Sequence, residues 1–131
     1  MCGGRKAVIK IKHLLDDVEE DDGQRIWIEP IGLTLDLRQW CQVDFILSHL
    51  GPTRALWKWY EQRPEGYEFF RAKYHELLAQ GPYRKELLDI VSAARHENVT
   101  LLHQGDDADN NSAMALYEFL CELDAYVPPE I

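Results

Sequence analysis

The chain is short of cysteine, of basic charge and of long apolar runs, and each shortage closes off a class of protein. There are three cysteines, Cys2, Cys41 and Cys121, far apart and odd in number. No Cys-x-x-Cys or Cys/His pair has zinc-like spacing, so neither a disulfide scaffold nor a zinc site is expected. Cys41 and Cys121 sit among apolar residues, as core cysteines do. Three free thiols in a reducing compartment, the cytoplasm, are the expectation. No apolar run reaches the length needed to cross a bilayer, and the N-terminal MCGGRKAVIKIK lacks the apolar stretch of a secretion signal. No membrane association is expected.

Lysine and arginine number 14 against 23 aspartates and glutamates, for a formal net charge of −9. Broad, sequence-independent nucleic-acid binding needs a basic face and is therefore not expected. Glycine-rich phosphate loops, a Gly-x-Ser-x-Gly elbow and a His-Glu-x-x-His helix are all missing. Neither a cofactor nor a metal is expected. Much of the negative charge lies in one run, Asp16, Asp17, Glu19, Glu20, Asp21 and Asp22. It lacks the alternation and glycine of a calcium loop and reads as a solvated loop.

What is present is a chain of 131 residues with 46% hydrophobic side chains, enough for one core. A single domain over 1–131 is expected. Three segments read as strands: 7–12, 25–29 and 99–103, each with branched or apolar residues in a short run. Helical spacing dominates elsewhere. Tyr67, Phe70, Tyr74, Leu77 and Leu78 place a helix over 64–80, with Pro64 at its start and Gly81 past its end. Leu87, Leu88, Val91 and Ala94 place another over 82–96. A last helix runs over 112–126, with Asn111 as N-cap and Pro128-Pro129 beyond it. Helices over 35–50 and 52–61 complete the reading. Sparse strands separated by helices predict an α/β fold, a small sheet of three or more strands layered with amphipathic helices, Rossmann-like. The first two strands are open to either parallel or antiparallel pairing.

Two stretches can carry chemistry. The first follows the third strand: His103, Gln104, Gly105, Asp106, Asp107, Ala108, Asp109, Asn110 and Asn111. In α/β folds ligands bind beyond the carboxyl ends of strands, beside the next helix N-terminus. The second is the aromatic cluster Trp57, Trp59, Tyr60, Tyr67, Phe69, Phe70 and Tyr74, interleaved with Arg54, Lys58, Arg63, Arg71 and Lys73. Aromatics beside cations can stack a base, although at helical spacing they serve the core. Arg71 is open to a bridge with Glu29 or an aspartate. The expected pocket gathers Arg25, Glu29, Trp59, Arg71, His103, Asp106 and Asn111 around a small-molecule ligand. An alternative makes Glu29 or His103 a general acid or base acting on a small polar or nucleotide-like substrate. Another is a module that forms a homodimer through exposed aromatics near Trp57.

Several motifs resemble the YeaO-like family of uncharacterised bacterial proteins, a family of unknown function. Gly51-Pro-Thr-Arg-Ala-Leu-Trp-Lys-Trp-Tyr60 is similar to its Ala-Pro-Ser-x-x-Leu-Arg-Lys-Trp-Phe. Pro64 with Phe70-Arg71-x-x-Tyr74 is similar to its Pro…Phe-Arg-x-x-Tyr, Val99-Thr-Leu-Leu102 to its Val-Thr-Leu-Leu, and Gly23-x-Arg-Ile-x-Ile-Glu29 to its Gly-x-Arg-hydrophobic-x-Val-Asp. The resemblance implies an α/β layered fold and no established activity. One departure stands out. Where that family has Asp-Arg-Leu-Trp-Pro-Arg-Gly, this chain has Glu29-Pro30-Ile31-Gly32-Leu33-Thr34-Leu35. Both arginines are replaced, and only the acid remains. The resemblance therefore implies a divergent, degenerate member with a weakened grip on anions.

Overall fold

A computed structural model describes residues 8–126. Four strands, β1 (Ile9–His13), β2 (Gln24–Trp27), β3 (Phe45–Ile46) and β4 (Val99–His103), form one sheet in the order β1-β4-β2-β3. All three pairings are parallel. Helices α1 (Leu35–Trp40), α2 (Arg54–Gln62), α3 (Tyr67–Gln80), α4 (Arg84–Ala93) and α5 (Ser112–Asp124) complete the α/β fold, with 3-10 turns at 20–22, 48–50 and 64–66. No helix among the described residues is long and apolar enough to cross a membrane.

The last strand in sequence lies inside the sheet. Leu101 of β4 is level with Ile11 of β1 on one side and with Ile26 of β2 on the other. All five β4 residues are buried. This placement settles the pairing of the first two strands. They are not neighbours, and the acidic loop between them makes no hairpin.

Alternation along the strands divides the sheet into two unlike faces. Ile26, Ile28, Val99 and Leu101 meet Phe70, Tyr74, Leu87, Leu116 and Leu120 in the larger core, with Ile9 and Ile11 packed at its edge. On the other face Trp27 and Leu102 pack with Leu14, Cys41 and Val43, and α1 adds Leu37. The β1 side of that second face carries Lys10 and Lys12, and the acidic loop covers it. Lys10 pairs with Asp21 at 2.7 Å, and Lys12 pairs with Glu19 at 3.0 Å and Asp22 at 3.1 Å. The acidic run is thus a charged cover for the sheet as well as a loop.

The expected helix over 35–50 is the main correction to the reading of elements. α1 ends at Trp40, and Gln42 takes a left-handed backbone with φ 50°. The chain then runs along the open edge of β2. The Asp44 amide donates to the Arg25 carbonyl, its carboxylate accepts from the Arg25 amide, and the Leu47 amide donates to the Trp27 carbonyl. An unpaired strand edge offers these bonds, which outweigh the helical tendency of a short segment. A second correction concerns thiols. Cys41 is free and buried, whereas Cys121 is disulfide-bonded, and Cys2 lies outside the described residues.

Candidate functional site

A cleft of about 330 Å³ opens beyond the carboxyl ends of β2 and β4. The stretch after β2 contributes Glu29, and the loop after β4 contributes 104–107, 110 and 111. The first residue of α5 contributes Ser112. One face of α2 supplies Trp57, Tyr60 and Glu61, and Pro64 completes the wall. This is where ligands sit in parallel α/β sheets.

The loop after β4 is held by its own side chains. The Asp107 carboxylate accepts from the amides of Asp109 and Asn110. Asn111 caps α5 by accepting from the Met114 amide at 2.8 Å, and its Nδ2 donates to the Asp107 carbonyl at 2.9 Å. Tyr60 donates its hydroxyl to the Asn110 carbonyl at 2.8 Å, tying α2 to the loop. Gln104 crosses to the other strand end. Its amide donates to Glu29 Oε1 at 3.0 Å, and its Nε2 donates to the Ile31 carbonyl at 2.6 Å.

Gln104 also explains Gly32. That glycine has φ 106°, and a Cβ there would collide with the Gln104 amide. A tryptophan at this position would need the space Gln104 occupies.

Glu29 forms the floor of the cleft. It is 1% exposed, yet its Oε2 has no hydrogen-bond partner. Burial pushes its carboxyl above the ordinary value, opposed by the Gln104 amide and by the nearby Ser112 hydroxyl and Trp57 indole. A buried carboxylate oxygen with an open acceptor position is costly, which sets it apart from the satisfied groups around it.

Of the seven residues expected in the pocket, Glu29, Asp106 and Asn111 line the cleft. Four do not. Arg25 lies on the α1 side of the sheet, bonded to Asp22 and to the Cys41 and Gln42 carbonyls. Arg71 pairs with Glu118 of α5 at 2.8 Å and lies over the Tyr67 ring, so the expected bridge to Glu29 or an aspartate is replaced by one to Glu118. Trp59 packs on Phe69, with ring centres 4.8 Å apart, and under Arg63. His103 is buried edge-on to His13, with centroids 5.5 Å apart. Burial, aided by His13, pushes His103 down to about 4. It is therefore neutral at neutral pH.

Trp57, Tyr60 and Glu61, which are not among the seven expected residues, also line the cleft. Their spacing, at i, i+3 and i+4, puts them on one helix face, and that signal was available. Phe69, packed on Trp59, is 51% exposed. Trp40 is 83% exposed on α1, whereas Trp57 is half-buried in the cleft.

A family model described as the inactive DUF488-N3 subclade matches residues 8–126. The chain belongs to this family. Members of the DUF488-N3 kind are domains of unknown function, and the curated relatives of this chain carry no activity in their names. Uncharacterised proteins from two strains of Mycobacterium tuberculosis and one of Mycobacterium bovis are each 26% identical to it over 106 residues, covering 70% of this chain and 85% of the relative. No solved structure matches the chain. The cleft lies within the span of the DUF488-N3 match.

Proposed function

We propose that the chain is a single, non-catalytic ligand-binding domain whose site is the cleft beyond β2 and β4. The observation that carries this reading is the unpartnered, buried Oε2 of Glu29 at the floor of that cleft. A bound molecule that donates to this oxygen would remove the cost of leaving it unsatisfied.

Acid–base catalysis needs convergent groups around the reacting atom. The two groups expected to join Glu29 in such a role are engaged elsewhere. His103 faces His13, and Arg71 is held by Glu118. The description of the subclade as inactive supports the same reading. So does the resemblance to YeaO-like proteins, whose two strand-end arginines stand here as Pro30 and Thr34. Thr34 is instead the N-cap of α1, accepting from the Leu37 amide.

The test is a fragment screen followed by two-dimensional amide NMR of the whole chain. Ligands should shift the signals of Glu29, Trp57, Tyr60 and residues 104–112. Shifts that cluster on another surface, or a diverse library without a hit, would remove the proposal.

A further inference from the structure

We infer that this cleft selects a small organic cation, a primary ammonium or an amidinium on a flat apolar frame, with its nitrogen against Glu29 and its frame against Trp57 and Tyr60. The inference rests on the reading of the cleft as a ligand site and adds the chemical class.

The class follows from which polar groups of the wall are already spent. Most of the side-chain donors are used internally. Asn111 Nδ2, Gln104 Nε2 and the Tyr60 hydroxyl all donate to main-chain carbonyls. The other two, the Ser112 hydroxyl and the Trp57 indole, bear on the Glu29 carboxyl, so what the wall has left to offer is mainly acceptors. Glu29 Oε2 is buried without a hydrogen-bond partner. Glu61, Asp106 and Asp107 are exposed carboxylates of the lining. Among the described residues, no lysine, arginine or histidine lines the cleft. An anion would meet four carboxylates with only the partial positive charge of the α5 N-terminus to hold it, whereas a cation meets carboxylates at the base and around the lining.

A bare metal ion fits less well than an organic cation. Among the described residues, the three carboxylates close enough to share one ion are Glu19, Asp21 and Asp22. That group lies under the other face of the sheet and is held by Lys10, Lys12 and Arg25. The acids of the cleft are spread over its floor and rim, an arrangement suited to an extended molecule. Two aromatic rings line the same space, and ring faces attract ammonium and guanidinium groups. Tyr60 is fixed for that role by stacking on Phe70, with centroids 4.6 Å apart and planes 20° from parallel.

Three probes of nearly one shape separate the possibilities: benzamidine, a cation; benzamide, its neutral isostere; and benzoate, an anion. Each is titrated into the whole protein at low salt, above the carboxylate range of pH, and followed by amide NMR including the Trp57 indole N–H. Benzamidine should bind in the cleft about tenfold or more tightly than benzamide, and benzoate should not bind there. Glu29→Gln should lose about tenfold or more of the benzamidine affinity. The double variant Glu61→Gln/Asp106→Asn, altered only at exposed rim positions, should fold normally, weaken binding less and flatten its salt dependence. Affinity should also rise with pH as Glu29 ionises. The inference fails if benzamidine moves no cleft signal, or if benzamide or benzoate binds there equally well. Cleft binding by benzamide or benzoate would leave the ligand-site reading standing. Silence from all three probes and from the fragment library would end both.

Discussion

Asp22 is 1% exposed and stands between three cations, Lys10, Lys12 and Arg25. Burial alone would push its carboxyl up. The Glu19 backbone and the three cationic side chains outweigh that and hold it well below the ordinary carboxylate range. Arg25 is equally dependent on the arrangement, being 2% exposed with its other donors on main-chain carbonyls. Removing the acid leaves a buried guanidinium short of its counter-charge. Asp22→Asn should therefore cost about 3–5 kcal/mol in urea unfolding. Because the folded carboxyl is depressed, its stabilisation is complete above the unfolded value near 3.8 and is lost as pH falls below it. The variant should lack that part of the acid-induced loss. A variant as stable as the parent at neutral pH would show that the pair contributes nothing net. The same arrangement takes Arg25 out of the expected pocket. An arginine near a strand end looks like a ligand group until the fold puts an aspartate under it.

At the scale of the element, the helices with chemical start and stop signals were the legible ones. Asn111 before α5, and Pro64 and Gly81 around α3, mark ends the structure keeps within a few residues. Asn111 does two jobs, capping α5 and anchoring the loop at Asp107 and Ala108. Asn111→Ala should lower stability by about 1 kcal/mol through the lost cap, seen as a lower melting temperature, and Asn111→Asp should recover most of it. Equal losses in both variants would mean that the anchor dominates the cap. Where the sequence misled, the deciding partner was distant. Nothing between residues 35 and 50 signals that β2 has an open edge, so a helix was expected where α1 and β3 share the segment. The site was half legible for a related reason. Glu29, Asp106 and Asn111 follow strands and could be placed by topology. Trp57 and Tyr60 could be read equally as core, and only the position of α2 over the strand ends decides between those roles.

For the whole molecule, the strand order ranks the parts by how much must open to expose them. β4 is paired on both sides and buried throughout. Its amides cannot reach water without parting β4 from β1 or from β2 and uncovering core, so their exchange should be the slowest of the sheet. β3 is two residues long, pairs only with β2, and leaves Phe45 and Ile46 nearly half exposed. Its attachment rests on the amides of Asp44 and Leu47, bonded to the carbonyls of Arg25 and Trp27. Detaching that edge breaks few contacts of the larger core, because Phe45 and Ile46 belong to neither buried cluster and only Leu47 packs against the larger one. Native-state hydrogen exchange should therefore find the slowest amides within 99–103 and faster ones at 44 and 47, with an opening free energy several-fold smaller. Denaturant should accelerate the β4 amides steeply and the β3 amides weakly, since less surface is exposed when the edge alone opens. Exchange at 44 and 47 as slow as at 99–103, with the same denaturant dependence, would contradict an open edge. It would mean that another strand covers β3 in solution, and dilution would then distinguish a second copy of the chain from a cover within the same molecule.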